Sequence, residues 1–251
     1  MGSSRVPVAE MPELERWVLH RLTELSGRFT AAVASYDWSG VYPDLHNFCA
    51  VDLSAFYFDV RKDALYCDRP DSLRRRAART VLDTLHRYLC TWLAPVLCFT
   101  AEEAWCARFG DDSSVHLELF PTSPAEWRDE TLASKWETLR SIRRRITVPI
   151  EECRKSNVIG SSLQAAVELP LNADHLNLLD EAAWSEIAIV SSVRIVPDTD
   201  EPLSRVTPAS GDKCARCWRV LPEVGSSAAH PSLCLRCTDA VESGLVCKPA
   251  A

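Results

Sequence analysis

The chain has 251 residues, 47% of them hydrophobic and 25% charged, with a formal net charge of -7 at pH 7. Such a composition excludes a chain disordered throughout and gives enough length for two or three compact units. The acidic total excludes a phosphate-binding surface spread over the whole protein, so any contact with nucleic acid has to come from local basic patches.

Apolar residues recur at Leu14, Trp17, Val18, Leu22 and Leu25, the spacing of one helix face, with Pro12 suited to a first turn; this predicts a long helix to about Arg28. A second apolar helix is expected over Val41 to Tyr57. A third is expected over Ser72 to Leu93, where Leu73, Ala77, Val81, Leu85, Tyr88 and Trp92 share a face and Pro95 lies just beyond the end. Tyr88 to Ala101 contains no charged residue, but it is too short to span a bilayer, so no membrane segment or membrane partner is expected. Thr100 with Glu103, and Ser123 with Glu126, have capping-box spacing and mark expected helix starts. Another helix is expected over Leu132 to Ile146, carrying Arg140, Arg143, Arg144 and Arg145, before Pro149 and a polar stretch change the texture. LQAAVEL and EIAIVSSVRIV read as strands, with a helix between them over Ala173 to Trp184, and 197–211 reads as a linker. The fold class is therefore mainly α: a helical bundle over 1–128, a small α/β unit over 129–205, and a metal-binding segment with tail over 206–251.

The segment 206–251 carries the strongest chemical signal. Cys214, Cys217, Cys234 and Cys237 form a C-x2-C…C-x2-C array, able to wrap one tetrahedral ion with four thiolates. Zinc in a closed, structural site is the favoured reading over two disulfides or unpaired core thiols, and iron fits the same ligands. His230 reads as a loop residue and Cys247 as a spare thiol. Eleven cysteines, an odd number behind an N-terminal stretch with no apolar signal core, point to a reducing, cytoplasmic setting. Lys213, Arg216, Arg219 and Arg236 lie beside the ligands, where they balance the charge of the cluster. Arg216 and Trp218 carry a second reading, contact with RNA through a guanidinium and a stacked base. Arg75, Arg76, Arg79 and His86 make a basic stripe on the third helix, either a solvated face or a track for phosphates. Arg140 and Arg144, four residues apart, repel one another unless something anionic accepts them. No P-loop, dinucleotide fingerprint, G-x-S-x-G or H-E-x-x-H motif occurs in the sequence, and no catalytic residue is predicted.

The ordered series LERWVLHRL, FCAVDLSAFYFDVRKDALYCD, LAPVLCFTAEEAW, RSIRRRI…ECRKSNVIGSSLQAAV and KCARCWRV…CLRC resembles the C-terminal part of bacterial isoleucyl-tRNA synthetases, from about Met11 to Cys237. The resemblance implies an anticodon-binding helical bundle, a small junction domain and a zinc finger related to that of formamidopyrimidine-type DNA glycosylases. It implies tRNA(Ile) as partner, the four cysteines as zinc ligands, and Arg216 and Trp218 as knuckle residues that approach the anticodon loop. Arg75, Arg79, Arg140 and Arg144 are carried over as phosphate contacts. It also implies that ATP belongs to a catalytic core elsewhere, since neither His-Ile-Gly-His nor Lys-Met-Ser-Lys-Ser occurs in this sequence. The chain then reads as a truncated piece, a split-gene subunit with a separate catalytic partner, or a free-standing nucleic-acid-binding or scaffold module. A glycosylase of the related class needs an N-terminal proline amine followed by glutamate, where this chain has Met1-Gly2-Ser3-Ser4.

Overall fold

The computed structural model describes residues 5–197 and 203–245. They form two compact units: residues up to Phe58 with Ser72–Ala133, and Asp59–Asp71 with the chain from Ser134 onward.

The first unit is helical. Helix α1 (Glu13–Ser35) runs a full turn and more past the expected Arg28 and ends where Tyr36 turns left-handed at φ 55°. Helix α2 (Val41–Asn47) passes into a π-helical stretch (Phe48–Phe58) and then, without a break, into α3 (Asp59–Cys67). The expected stop at Tyr57 is thus overrun by about three turns, because no glycine or proline interrupts Phe48 to Cys67. Helix α4 (Leu73–Leu93) begins where its sequence says: the Ser72 hydroxyl accepts a bond from the Arg75 amide at 3.3 Å. Ala77, Val81, Leu85, Tyr88 and Trp92 are buried as expected, whereas Leu73, on the first turn, is 46% exposed. Helix α1 meets α4 through Phe29, which stacks on Trp92 with ring centroids 5.1 Å apart, and its Trp17 meets Phe56 of the π-helical stretch edge-on at 5.7 Å.

Both capping boxes are corrected. Helix α5 (Cys98–Phe109) starts before Thr100, and the carboxylate of Glu102 bonds the Val115 amide at 2.9 Å and the Ser114 hydroxyl at 3.0 Å. Ser123 precedes only a three-residue 3-10 turn (Ala125–Trp127), and its hydroxyl donates to Tyr88 Oη at 3.4 Å. The next helix, α6 (Glu130–Lys155), is capped by Asp129, which accepts from the Leu132 amide at 2.9 Å. Asp129 is itself fixed: its amide donates to buried His20 Nδ1 at 2.9 Å and its carboxylate pairs with Arg16 at 2.8 Å.

In the second unit, α6 continues through Pro149 instead of ending near it. A proline inside a helix deprives the carbonyl four residues earlier of its partner. That carbonyl belongs to Arg145, and the Ser204 amide, arriving from far along the chain, donates to it at 3.2 Å. Strand β1 (Ala165–Leu171) is central in a three-stranded sheet, parallel to β2 (Ser192–Pro197) and antiparallel to β3 (Arg205–Pro208). Parallel pairing demands a crossover, supplied by α7 (Glu181–Ala188). Its position corrects two expectations. Asp180 caps it through the Ala183 amide at 2.7 Å, so the helix begins later than Ala173 and takes over residues expected to be strand; Ile189, left-handed at φ 58°, ends it. Strand β3 also lies within the expected linker.

Candidate metal centre and nucleic-acid surface

The metal-binding segment is built from a two-residue hairpin and a short helix. Strand β4 (Asp212–Lys213) pairs antiparallel with β5 (Val220–Leu221), and the turn between them is the first C-x2-C knuckle. The Trp218 amide donates to Cys214 O and the Cys214 amide to Arg219 O, both at 2.9 Å, closing the knuckle. Gly211, at φ 107°, leads in; a Cβ there would fall 2.4 Å from the Leu221 carbonyl carbon, so no side chain fits. The second pair sits on α8 (Leu235–Glu242): Cys234 is its N-cap and Cys237 lies in its first turn.

The four sulfurs lie within 4.8 Å of one another and all four cysteines are buried. A tetrahedral zinc with Zn–S of about 2.3 Å requires sulfurs roughly 3.8 Å apart, and Cys217 and Cys234 already stand at 3.7 Å. An all-thiolate set with no open ligand position fits a structural zinc ion. It would carry a net charge of minus two, which the N-terminal end of α8 and the Cys234 amide, 3.4 Å from Cys214 Sγ, help to offset. His230 lies apart from the cluster, 3.8 Å from Glu242, as expected of a loop residue; Cys247 lies outside the described residues.

The cations beside the ligands have separate tasks. Arg216 sends Nη2 to Tyr66 O at 2.9 Å and Nη1 to Cys67 O, so the knuckle caps the last carbonyls of α3; the same Nη1 is 3.7 Å from Cys237 Sγ. Arg236 forks onto Asp63, with Nη2 to Oδ1 at 2.8 Å, and reaches Asp68 at 3.2 Å. Burial opposes the Arg236 charge, but the hydrogen bonds and field of the two aspartates prevail and hold its pKa above the ordinary value. Arg219 donates to Ser191 O at 2.6 Å, tying the hairpin to the start of β2. These partners of the finger carry no signal in sequence, because Asp63 on α3 and the buried Asp68 just past its end lie about 170 positions away from Arg236.

Trp218 is different. It is 61% exposed, stands at φ 67° where non-glycine residues are uncommon, and has Lys213 Nζ 5.7 Å from its ring centre. The remaining predicted contacts fall in both units. On α4, Arg79 is exposed and Arg75 half-buried, while His86 is turned inward to Ala104 O at 3.0 Å. Asp83 on the same stripe pairs with Arg5 at 2.8 Å and Arg108 at 2.7 Å. On α6 the arginine run divides. Arg143 donates to Ile187 O at 2.6 Å and Arg145 to Pro170 O at 2.9 Å, both holding the sheet unit, whereas Arg144 is exposed and Arg140 half-buried. The repeated arginines are thus in part structural, a division the sequence run does not reveal.

A family profile described as the anticodon-binding domain of tRNA ligase matches residues 15–169, and one described as the zinc finger found in FPG and IleRS matches 211–240. The chain belongs to the anticodon-binding domain family of tRNA ligases, and it corresponds to the anticodon-binding and zinc-finger region of bacterial isoleucyl-tRNA synthetase. It is 55% identical over 241 residues to isoleucine–tRNA ligase of Gluconobacter oxydans, covering 95% of this chain and 25% of that protein. The ligase of Ruegeria pomeroyi is 46% identical over 246 residues (93% and 25%), and that of Agrobacterium fabrum 42% over 247 (94% and 26%). The chain thus spans about a quarter of the length of these relatives, and the catalytic and editing domains lie outside the matched region. Among the described residues no helix is long and apolar enough to cross a membrane.

Proposed function

We propose that this chain recognises the anticodon arm of tRNA(Ile) for an isoleucine–tRNA ligase whose ATP-dependent chemistry resides in a separate catalytic part, and that it works in the cytoplasm. Zinc on Cys214, Cys217, Cys234 and Cys237 would fix the knuckle as a rigid platform and take no part in chemistry. The observation that carries the reading is Trp218, a large aromatic surface held out to solvent on a thiolate-stapled turn in a chain of this family. An aromatic face stacks an unpaired base regardless of its identity, and a cation beside it meets the neighbouring phosphate. Lys213 is suited to that second task. Arg216 supports the platform by anchoring the knuckle on α3, and Arg75, Arg79, Arg140 and Arg144 supply the phosphate contacts that orient the stem.

The test is affinity for an isoleucine tRNA transcript beside the same transcript with its anticodon exchanged, at one fixed salt concentration because phosphate contacts make affinity salt-dependent. Tighter binding of the isoleucine anticodon is expected. Equal affinity for the two would overturn the recognition reading.

A further inference from the structure

A fifth thiol is packed on the four-cysteine cluster. Cys67, at the end of α3, belongs to the same buried group as Cys214, Cys217, Cys234 and Cys237. Its thiol donates to Arg216 O, 3.7 Å away, and the residue packs in the same buried group as Cys237. Arg216 Nη1 bridges the same two residues, bonding Cys67 O and lying 3.7 Å from Cys237 Sγ. Arg236 on Asp63 and Asp68 already ties this end of α3 to α8, which keeps Cys67 and Cys237 side by side. A tetrahedral zinc takes four thiolates and leaves the fifth uncoordinated, beside a ligand it can attack or be attacked by.

We propose that Cys67 is an oxidation site that couples hydroperoxides to release of the metal, through a disulfide between Cys67 and Cys237. The proposal rests on the reading of the cluster as a zinc site. Cys67 is 6% exposed while Cys214, Cys234 and Cys237 are at 0–1%, which makes it, with Cys217 at 5%, the point of entry for a small oxidant. Its sulfur attacks one oxygen of hydrogen peroxide, the O–O bond breaks, and the products are a Cys67 sulfenic acid and water. The Cys237 thiolate then attacks that sulfenic sulfur; the S–S bond forms, the S–O bond breaks and hydroxide departs. Two electrons pass from the two sulfurs to the peroxide, and a zinc ion held here would keep only Cys214, Cys217 and Cys234 as ligands. The knuckle bearing Trp218 loses its staple while α8 stays covalently seated on α3, and a dithiol reductant with zinc restores the original state.

The experiment uses the full chain, loaded with zinc and treated with equimolar hydrogen peroxide. Zinc release is followed with a chromogenic chelator, and disulfides are mapped in unreduced peptides by mass spectrometry. Wild type is expected to yield a Cys67–Cys237 cross-linked peptide in step with zinc release. Cys67→Ser and Cys67→Ala should lose that peptide and release zinc roughly tenfold more slowly, as fits loss of a reacting thiol held in place. Release at the wild-type rate in both variants, or cross-links in wild type confined to the four ligands such as Cys217–Cys234, would overturn the proposal. The wild-type map needs no variant to fold, and the zinc stoichiometry measured before oxidation tests the metal reading separately.

Discussion

Trp218 combines two costs that a merely structural residue would avoid, an exposed indole and a left-handed backbone. Trp218→Ala should weaken tRNA binding by roughly 1–3 kcal/mol if a base stacks there, with zinc content unchanged. Titrating both proteins with the same transcript decides it, and unchanged affinity in a zinc-replete variant would remove Trp218 from the interface. Asp83 makes a different residue-scale prediction. Burial pushes its carboxyl up, but the bonds from Arg108 and Arg5 prevail and lower its pKa below 3.8. A carboxyl lowered on folding contributes stability that is complete above its unfolded pKa and is lost as pH falls through the folded value. Asp83→Asn should therefore cost up to about 1 kcal/mol at neutral pH, the scale of a partly exposed pair, and progressively less as the solution is acidified below about pH 4. Thermal unfolding of both proteins across that range measures it, and a cost that does not fall on acidification would rule out the ion pair as its source.

Among the elements, Phe29 of α1 holds the first unit's core through Trp92, Trp38 and Phe120. Phe29→Ala should destabilise that unit by about 3–5 kcal/mol in denaturant unfolding, and a loss under about 1 kcal/mol would show that this aromatic group is not the core's centre. Arg216→Ala should uncap α3: amide exchange in its last turn should rise while zinc stays bound, because the four ligands are untouched. Protection unchanged in that turn would refute the capping role. The same elements show what a sequence reader can and cannot see. Helices α1 and α4 were legible because their apolar residues repeat on one face and Ser72 is a local cap, and the four-cysteine array was legible because metal geometry constrains spacing directly. The passage of α6 through Pro149 is not legible in sequence, since the Ser204 amide that satisfies Arg145 O comes from nearly sixty residues downstream. The true start of α7 depended on choosing Asp180 as the cap. Cys67, Asp63 and Asp68 were invisible as parts of the finger, because long-range docking leaves no periodicity behind.

For the whole molecule, zinc is expected to act locally. The finger buries little apolar surface of its own, with Leu221, Val224 and Leu233 only partly covered around the sulfurs. Chelation should make 211–242 protease-sensitive while most helical circular dichroism persists; cleavage there at an unchanged rate would mean the finger stands without metal. Binding of tRNA to the intact chain should weaken steeply with added salt, since a net charge of -7 leaves only local arginine clusters to meet phosphates. Affinity independent of salt would exclude those clusters. The seat of the finger on α3 also sets an order of events during synthesis. Asp63 and Arg236 are 173 positions apart, so at ordinary ribosomal speeds α3 waits roughly 9–35 s for its cation to emerge. For most of that interval its final turn has no Arg216 to close it, and throughout it Asp63 and Asp68 lack their guanidinium. A later-made segment therefore completes an earlier-made one, and a ribosome stalled before Arg216 would leave a nascent chain that chaperones and proteases meet with α3 unfinished.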